Sequence, residues 1–271
     1  MQSICQEIAL GKTVQWQEQA YELTGVEVDP HALHIIHLSL APEEPLPPTM
    51  GRAVHALCFK WLASADATLA ETLHHQENLP FTLSLKPSSS NQWRLRISIL
   101  RRELLAPLLW GLSEDLGNPV ELVRTPCRIG RTVEMLQATS FQNLLQLPAQ
   151  ETIDLQLLSP TSFKQGKEIQ PFPLPELVFN SLLRRWNAFA PQELCFPAIE
   201  WRGLVSAYEL KTHAFKLKGG AEIGGQGLVR YRFPEPEQAK IATTLAHFAR
   251  FSGVGRKTTM GMGQAQLFES R

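Results

Sequence analysis

Residues 253–263 read Gly-Val-Gly-Arg-Lys-Thr-Thr-Met-Gly-Met-Gly, two glycine-hydrophobe-glycine triplets around five residues that include an Arg–Lys pair. Glycine permits positive φ and close approach of another backbone. Amides left free by such a loop can hydrogen-bond phosphate oxygens, and the charges of Arg256 and Lys257 add to the attraction. The spacing is not that of a Walker A loop, which needs Gly-Lys-Ser/Thr after four spacers. Nor is it a dinucleotide fingerprint, which opens a helix after a strand. Here the glycines follow a helical stretch and lead into a strand. The chemistry predicted is polyanion binding, and the charge distribution agrees. The chain carries 26 basic and 26 acidic residues, yet residues 1–50 hold seven acids against one base, while residues 211–271 hold ten bases against four acids. A local field attracts a polyanion whatever the total.

Metal chemistry finds no support. His31, His34 and His37 are three apart on a strand-like run, so they alternate faces and form no triad. No His/Cys spacing reaches zinc-site quality. His74-His75 reads as the end of the first helix, where positive charge is favoured, and His213 and His247 have no recognisable partners. The four cysteines (Cys5, Cys58, Cys127, Cys195) are scattered without a C-x-x-C pair, which argues for a reducing cytoplasm. No apolar run approaches the ~20 residues of a membrane helix, and the amino terminus lacks the pattern of a secretory signal.

These residues must be positioned by elements the sequence also announces. With 271 residues, 44% apolar, the chain can bury one large or two small cores. Residues 33–40 have strand character, and Thr49 is a plausible N-cap for a helix over 51–66. Strands follow at 81–85 and 93–99, then a helix over 101–115 that Pro107 should kink or shorten. A last strand fits 120–123 or 132–136. The second half repeats the order: a strand over 153–158, a helix opened by Pro175, strands over 198–210 and a glycine-interrupted 215–233, a helix over 235–251, and a strand over 263–268. Two β-α-β-β-α-β units predict an α+β chain of tandem ferredoxin-like domains, 1–145 and 146–271.

The glycine-rich segment and this order together resemble the CRISPR-associated repeat-processing endoribonucleases, family six of those proteins, within the RAMP superfamily. Their signature is a carboxy-terminal glycine-hydrophobe-glycine, five residues with at least one Lys or Arg, then glycine-hydrophobe-glycine. Residues 253–263 match every defined position, and the likeness in architecture runs over about residues 31–271. The resemblance implies a metal-independent endoribonuclease that cuts precursor CRISPR RNA once within each repeat. The 2′-hydroxyl attacks, leaving a 2′,3′-cyclic phosphate and a 5′-hydroxyl.

Such cleavage needs a base for the 2′-hydroxyl, a donor for the leaving oxygen and a cation for the phosphate. Members of the family often keep a histidine near the first helix, the place His55 occupies, and histidine titrates near neutrality. Arg52, one turn earlier, and Lys60, five residues later, are candidate phosphate stabilisers. The family's catalytic tyrosine has no clear match, because Tyr21 precedes the first strand while Tyr208 and Tyr231 lie in the second half. Gly253, Gly255, Arg256, Lys257, Gly261 and Gly263 would hold RNA. Lys164 and Lys167 would join them from a loop, and Lys211, Lys216, Lys218, Arg230 and Arg232 from a hairpin with a glycine-rich tip. Arg184-Arg185 reads equally as a helix-end pair. The partners implied are CRISPR repeat RNA, as precursor and as mature guide, and subunits of a CRISPR effector complex. The protein would be a monomer or homodimer in the cytoplasm, with no cofactor and no membrane. A second reading is a non-catalytic RNA-binding subunit of such a complex. A third, a small-molecule or nucleotide enzyme, lacks a carboxylate or metal-ligand set.

Overall fold

A computed structural model describes residues 13–16, 18–22, 31–47, 49–89, 91–217 and 219–268. Residues 1–30 and 31–271 form separate units. In the first, strand β1 (Thr13–Trp16) pairs antiparallel with β2 (Gln19–Glu22).

The second unit begins with β3 (Leu33–Pro42), whose nearly continuous apolar run suits a central strand covered on both faces. Ile36, Leu38 and Leu40 enter a first core, whereas Leu33 and Ile35 point the other way into a second. Helix α1 (Gly51–Ala65) lays Val54, Leu57, Cys58, Trp61 and Leu62 on the first core. It stops at Asp66, extended at φ −154°, whose carboxylate accepts from the Leu69 amide and caps a separate helix, α2 (Ala67–His74). His74 therefore closes α2 and not the first helix, a correction traceable to that capping aspartate.

Strands β4 (Phe81–Ser89) and β5 (Gln92–Ile99) form a hairpin. The helix expected over 101–115 is shorter: a 3-10 turn at Arg102–Leu104 precedes α3 (Leu105–Ser113). Pro107 sits in its first turn, where no intrahelical amide bond is lost. Both alternatives for the closing strand exist, as β6 (Pro119–Leu122) and β8 (Glu134–Thr139), with β7 (Thr125–Ile129) between them unforeseen. The order is β4-β5-β3-β7-β6, with β8 also pairing β3. The short α4 (Phe141–Leu145), capped by Ser140, leads on.

The second sheet takes the same path. Strand β9 (Thr152–Thr161) is followed by a small hairpin, β10 (Phe163–Gln165) and β11 (Glu168–Gln170), that carries Lys164 and Lys167 exposed around Gly166. Helix α5 (Pro175–Phe189) opens on its proline, as expected. Strands β12 (Leu204–Leu217) and β13 (Gly220–Arg232) form one long hairpin, and α6 (Pro236–Ser252) and β14 (Ala265–Leu267) finish an antiparallel sheet ordered β12-β13-β9-β14. Each sheet follows the ferredoxin-like order, so the fold is a tandem ferredoxin-like one. The hairpin turns at Gly219, earlier than a glycine-rich tip would suggest. Gly224, Gly225 and Gly227 instead lie within β13, where a Cβ would meet the Thr161 amide at 2.5 Å, the Pro171 carbonyl at 2.6 Å and the Glu209 carbonyl at 2.1 Å. Lys218 lies outside the described residues.

Helices α5 and α6 cover the second core, which also takes Leu100, Phe141 and Leu144 from the first half. The two halves are stitched together by Thr82 of β4, which donates to the Phe251 carbonyl at the end of α6 at 3.2 Å, and by Gln264, just before β14, which donates to the Leu83 carbonyl at 3.3 Å. Among the described residues, no helix is long and apolar enough to cross a membrane.

Candidate functional site

The glycine-rich loop leaves α6 at Gly253 (φ 63°) and takes positive φ again at Gly255, Gly261 and Gly263 (76°, 102° and 65°). Added Cβ atoms would collide with backbone at Gly255, 2.4 Å from the Ser162 carbonyl, and at Gly263, 2.0 Å from that of Val254. The glycines thus let the chain double back on itself. Val254 and Met262 anchor the two ends in the interior, and the middle of the loop stays half-exposed. Most amides are already used: Val254 donates to Gly263, Gly255 to the Ser181 hydroxyl, Arg256 to the Ser162 carbonyl and Gly263 to the Pro160 carbonyl. Among the described residues no such bond is found for the amides of Lys257, Thr259 and Gly261, each in the half-exposed part of the loop, while Thr258 is buried.

That middle stretch forms a 3-10 turn (Thr258–Met260) and rests on the start of α1. Gly51 makes the contact possible, since a Cβ there would lie 2.3 Å from the Met260 carbonyl. His55, on the next turn of α1, is half-buried, with its ring centroid 4.9 Å from that of Phe59 and 6.0 Å from that of Phe81. Burial holds its pKa below the ordinary histidine value. The nearby backbone of Thr259 pulls it back up, and the charge of His74 pushes it down.

Arg52 is exposed and lines an open cleft of about 460 Å³ with Lys257, Glu222 and the hairpin tip at Leu217, Gly219 and Gly220. Lys257 carries an unusual left-handed backbone for a non-glycine residue, φ 52°. Its Nζ reaches Glu222 Oε2 at 2.6 Å, and Arg256 Nε lies 3.7 Å from Oε1. Glu222 also accepts from the Ser162 hydroxyl. Burial raises its pKa, but the bonds from Lys257 and Ser162 and the charge of Arg256 outweigh that and hold it below the usual carboxylate range.

A second cationic region lies where the sheets face one another. Strand alternation puts Arg94 and Arg96 of β5, Lys86 of β4 and His37 of β3 on the side opposite Leu95 and Ile97. With Arg250 they line a cavity of about 390 Å³. Arg96 donates to Gln264 Oε1 at 3.0 Å and to the Arg250 carbonyl, and burial together with the Arg250 charge lowers it to about 10. The same causes lower Lys86 and His37: burial first, then the neighbouring arginines. Lys86 Nζ spans to the Leu158 carbonyl of β9 at 3.0 Å.

The structure brings His55, Arg52 and the loop together, but not every cation foreseen. Lys60 shares the Arg52–Ala56 line of α1 and is bound to Asp115 at 3.0 Å. Arg230 is clamped by both oxygens of Asp154 at 2.6 and 2.7 Å, and Arg232 by Glu151 at 2.7 Å. Lys211 and Lys216 are exposed along β12. Arg184 is exposed, while Arg185 is buried over the Phe189 ring, 5.8 Å from its centroid.

The profile of the family described as CRISPR-associated endoribonuclease Cas6 matches residues 155–265. CRISPR-associated endoribonuclease Cas6 of Mycobacterium tuberculosis is 24% identical over 249 residues, 86% of this chain and 78% of that protein. Among solved structures, Cas6 of Thermus thermophilus in a product complex superposes with a TM-score of 0.79 at 29% identity, covering 88% of this chain and 100% of that one. Another Cas6 product complex gives 0.72 at 28%, covering 87% and 100%. The chain is similar to the Cas6 proteins, by sequence profile over residues 155–265 and by fold over most of its length. Sequence reasoning overlooked Glu222, Gly51 and the inter-sheet cations Lys86, Arg94, Arg96 and Arg250. For two of these a signal existed: Arg94 and Arg96 alternate with Leu95 and Ile97, which puts the two arginines together on the other face of the strand. Nothing local marks Glu222 as the partner of Arg256 and Lys257.

Proposed function

We propose that this protein is a metal-independent endoribonuclease that cuts precursor CRISPR RNA within its repeats. The observation that carries the reading is the seating of the glycine-rich loop on α1, which puts Thr259 beside His55 and Lys257 in one cleft with Arg52. In this reading the 2′-hydroxyl attacks the adjacent phosphorus, the new P–O2′ bond forms and the P–O5′ bond breaks. His55 takes the 2′-hydroxyl proton, its lowered pKa keeping it neutral near pH 7 as a base must be, and the leaving O5′ takes a proton from water to become the 5′-hydroxyl. Arg52 and Lys257 face the charge growing on the phosphate, and Lys60 is carried forward only as a cation of the neighbouring groove. The free amides of the loop and the cations between the sheets would hold the rest of the RNA. The protein would work in the cytoplasm, as a monomer or homodimer, and pass its product to a CRISPR effector complex.

A repeat RNA with a 2′-deoxy substitution at the cut site tests the mechanism. Cleavage of the unmodified RNA is expected to persist in EDTA and to vanish with the deoxy substrate. Cutting of the deoxy substrate would overturn internal attack. The packing of His55 against two phenylalanine rings favours one rival, a non-catalytic RNA-binding subunit in which that histidine is structural. On that account His55→Ala leaves RNA binding intact and no cleavage exists to lose.

A further inference from the structure

The function proposed above gives Glu222 no task, yet it is a carboxylate set inside a surface that would face a polyanion. It is 9% exposed, on β13, at the floor of the cleft lined by Arg52, Lys257 and the hairpin tip. Both cations of the glycine-rich loop close on it, Lys257 at 2.6 Å and Arg256 at 3.7 Å, while Ser162 donates its hydroxyl to the oxygen nearer Arg256. A glutamine of the same shape would keep the Ser162 bond without repelling phosphates. An acid in this place therefore weakens general attraction for RNA.

We infer that Glu222 sets the selectivity of the RNA site, by holding Arg256 and Lys257 in fixed ion pairs and repelling backbone phosphates that do not match the geometry those cations present. The inference rests on the RNA-processing reading. With Glu222 ionised, the three groups sum to one positive charge instead of two. An unrelated flexible strand, held by phosphate attraction alone, loses the larger part of its affinity. A folded cognate repeat adds contacts of shape and base edge, and meets Lys257 already aimed. Selectivity is a difference of affinities, and a repulsive element widens it.

The test is equilibrium binding of the parent protein and Glu222→Gln to a cognate repeat RNA and to an unrelated single strand of equal length, over a salt series. The unrelated strand is expected to bind Glu222→Gln about twofold to thirtyfold tighter, the span for removing one charge about 8 Å from a phosphate between bulk water and a protein surface. Its salt slope should steepen by about one. Cognate affinity should change less, so the ratio falls. An equal change for both RNAs, or weaker binding of the unrelated strand, overturns the inference. Glu222→Asp keeps the charge and should keep the parent's discrimination while lowering kcat. If it loses discrimination as Gln does, the charge is not the cause. A parent protein that binds neither RNA overturns the RNA-processing reading and the inference with it.

Discussion

At the scale of single residues, the proposed chemistry turns on His55. Burial lowers its pKa, so the proton-accepting form survives to lower pH than for a free histidine. The acidic limb of the kcat/KM profile is expected below pH 6.5, because activity falls only once His55 itself protonates. His55→Ala should abolish cleavage while leaving the dissociation constant for repeat RNA nearly unchanged, as read by single-turnover cutting and filter binding. The loop cations behave differently. Replacing both, Arg256→Ala with Lys257→Ala, is expected to weaken RNA binding and to flatten the salt slope by about one to two. It also leaves Glu222 buried without its partners, so the melting temperature should drop. Glu222 itself is held below the ordinary carboxylate range. Its stabilisation is present above the unfolded value of 4.5 and is lost as pH falls through the lower folded value. Glu222→Gln should therefore flatten the dependence of Tm on pH in that acidic window.

At the scale of elements, the site is held by close backbone approaches. Helices α1 and α3 cross at Gly111, where a Cβ would lie 1.8 Å from the Trp61 carbonyl. Gly111→Ala is expected to force the helices apart and destabilise the protein by about 1–3 kcal/mol, measured by urea unfolding. Because α1 carries His55 and Arg52, cleavage should fall beyond what the fraction folded explains. Gly51 plays the same part between α1 and the loop, where the carbonyl it approaches is that of Met260. The exposed Lys60, by contrast, adds little to Asp115, which already accepts from the Trp61 indole at 2.8 Å.

At the scale of the whole His31–Arg271 unit, the faces of the two sheets confine cations that have few acids to balance them. Arg96 is the extreme case, hydrogen-bonded to Gln264 and the Arg250 carbonyl while Arg250 repels it. A charge drawn partly out of water with no acid beside it carries a desolvation cost that an apolar side chain of similar volume does not. Arg96→Met is accordingly expected to leave Tm unchanged or raised while weakening RNA binding. A marked loss of Tm would show that its hydrogen bonds outweigh its desolvation.

Local pattern was enough for much of this. The apolar periodicity of 33–40, 51–65 and 175–189, the prolines that open α5 and α6, and the glycine spacing of 253–263 each act within a few residues, so each is written in the chain itself. They determined the repeated β-α-β-β-α-β order and where the loop falls in it. Tertiary structure alone decided which charges are free. Asp154 holds Arg230, Glu151 holds Arg232, Asp115 holds Lys60 and Glu222 holds both loop cations, through contacts between residues far apart in sequence. It also decided that His55 and Thr259 meet, because ion pairing and close backbone packing depend on distances in space that no spacing along the chain encodes.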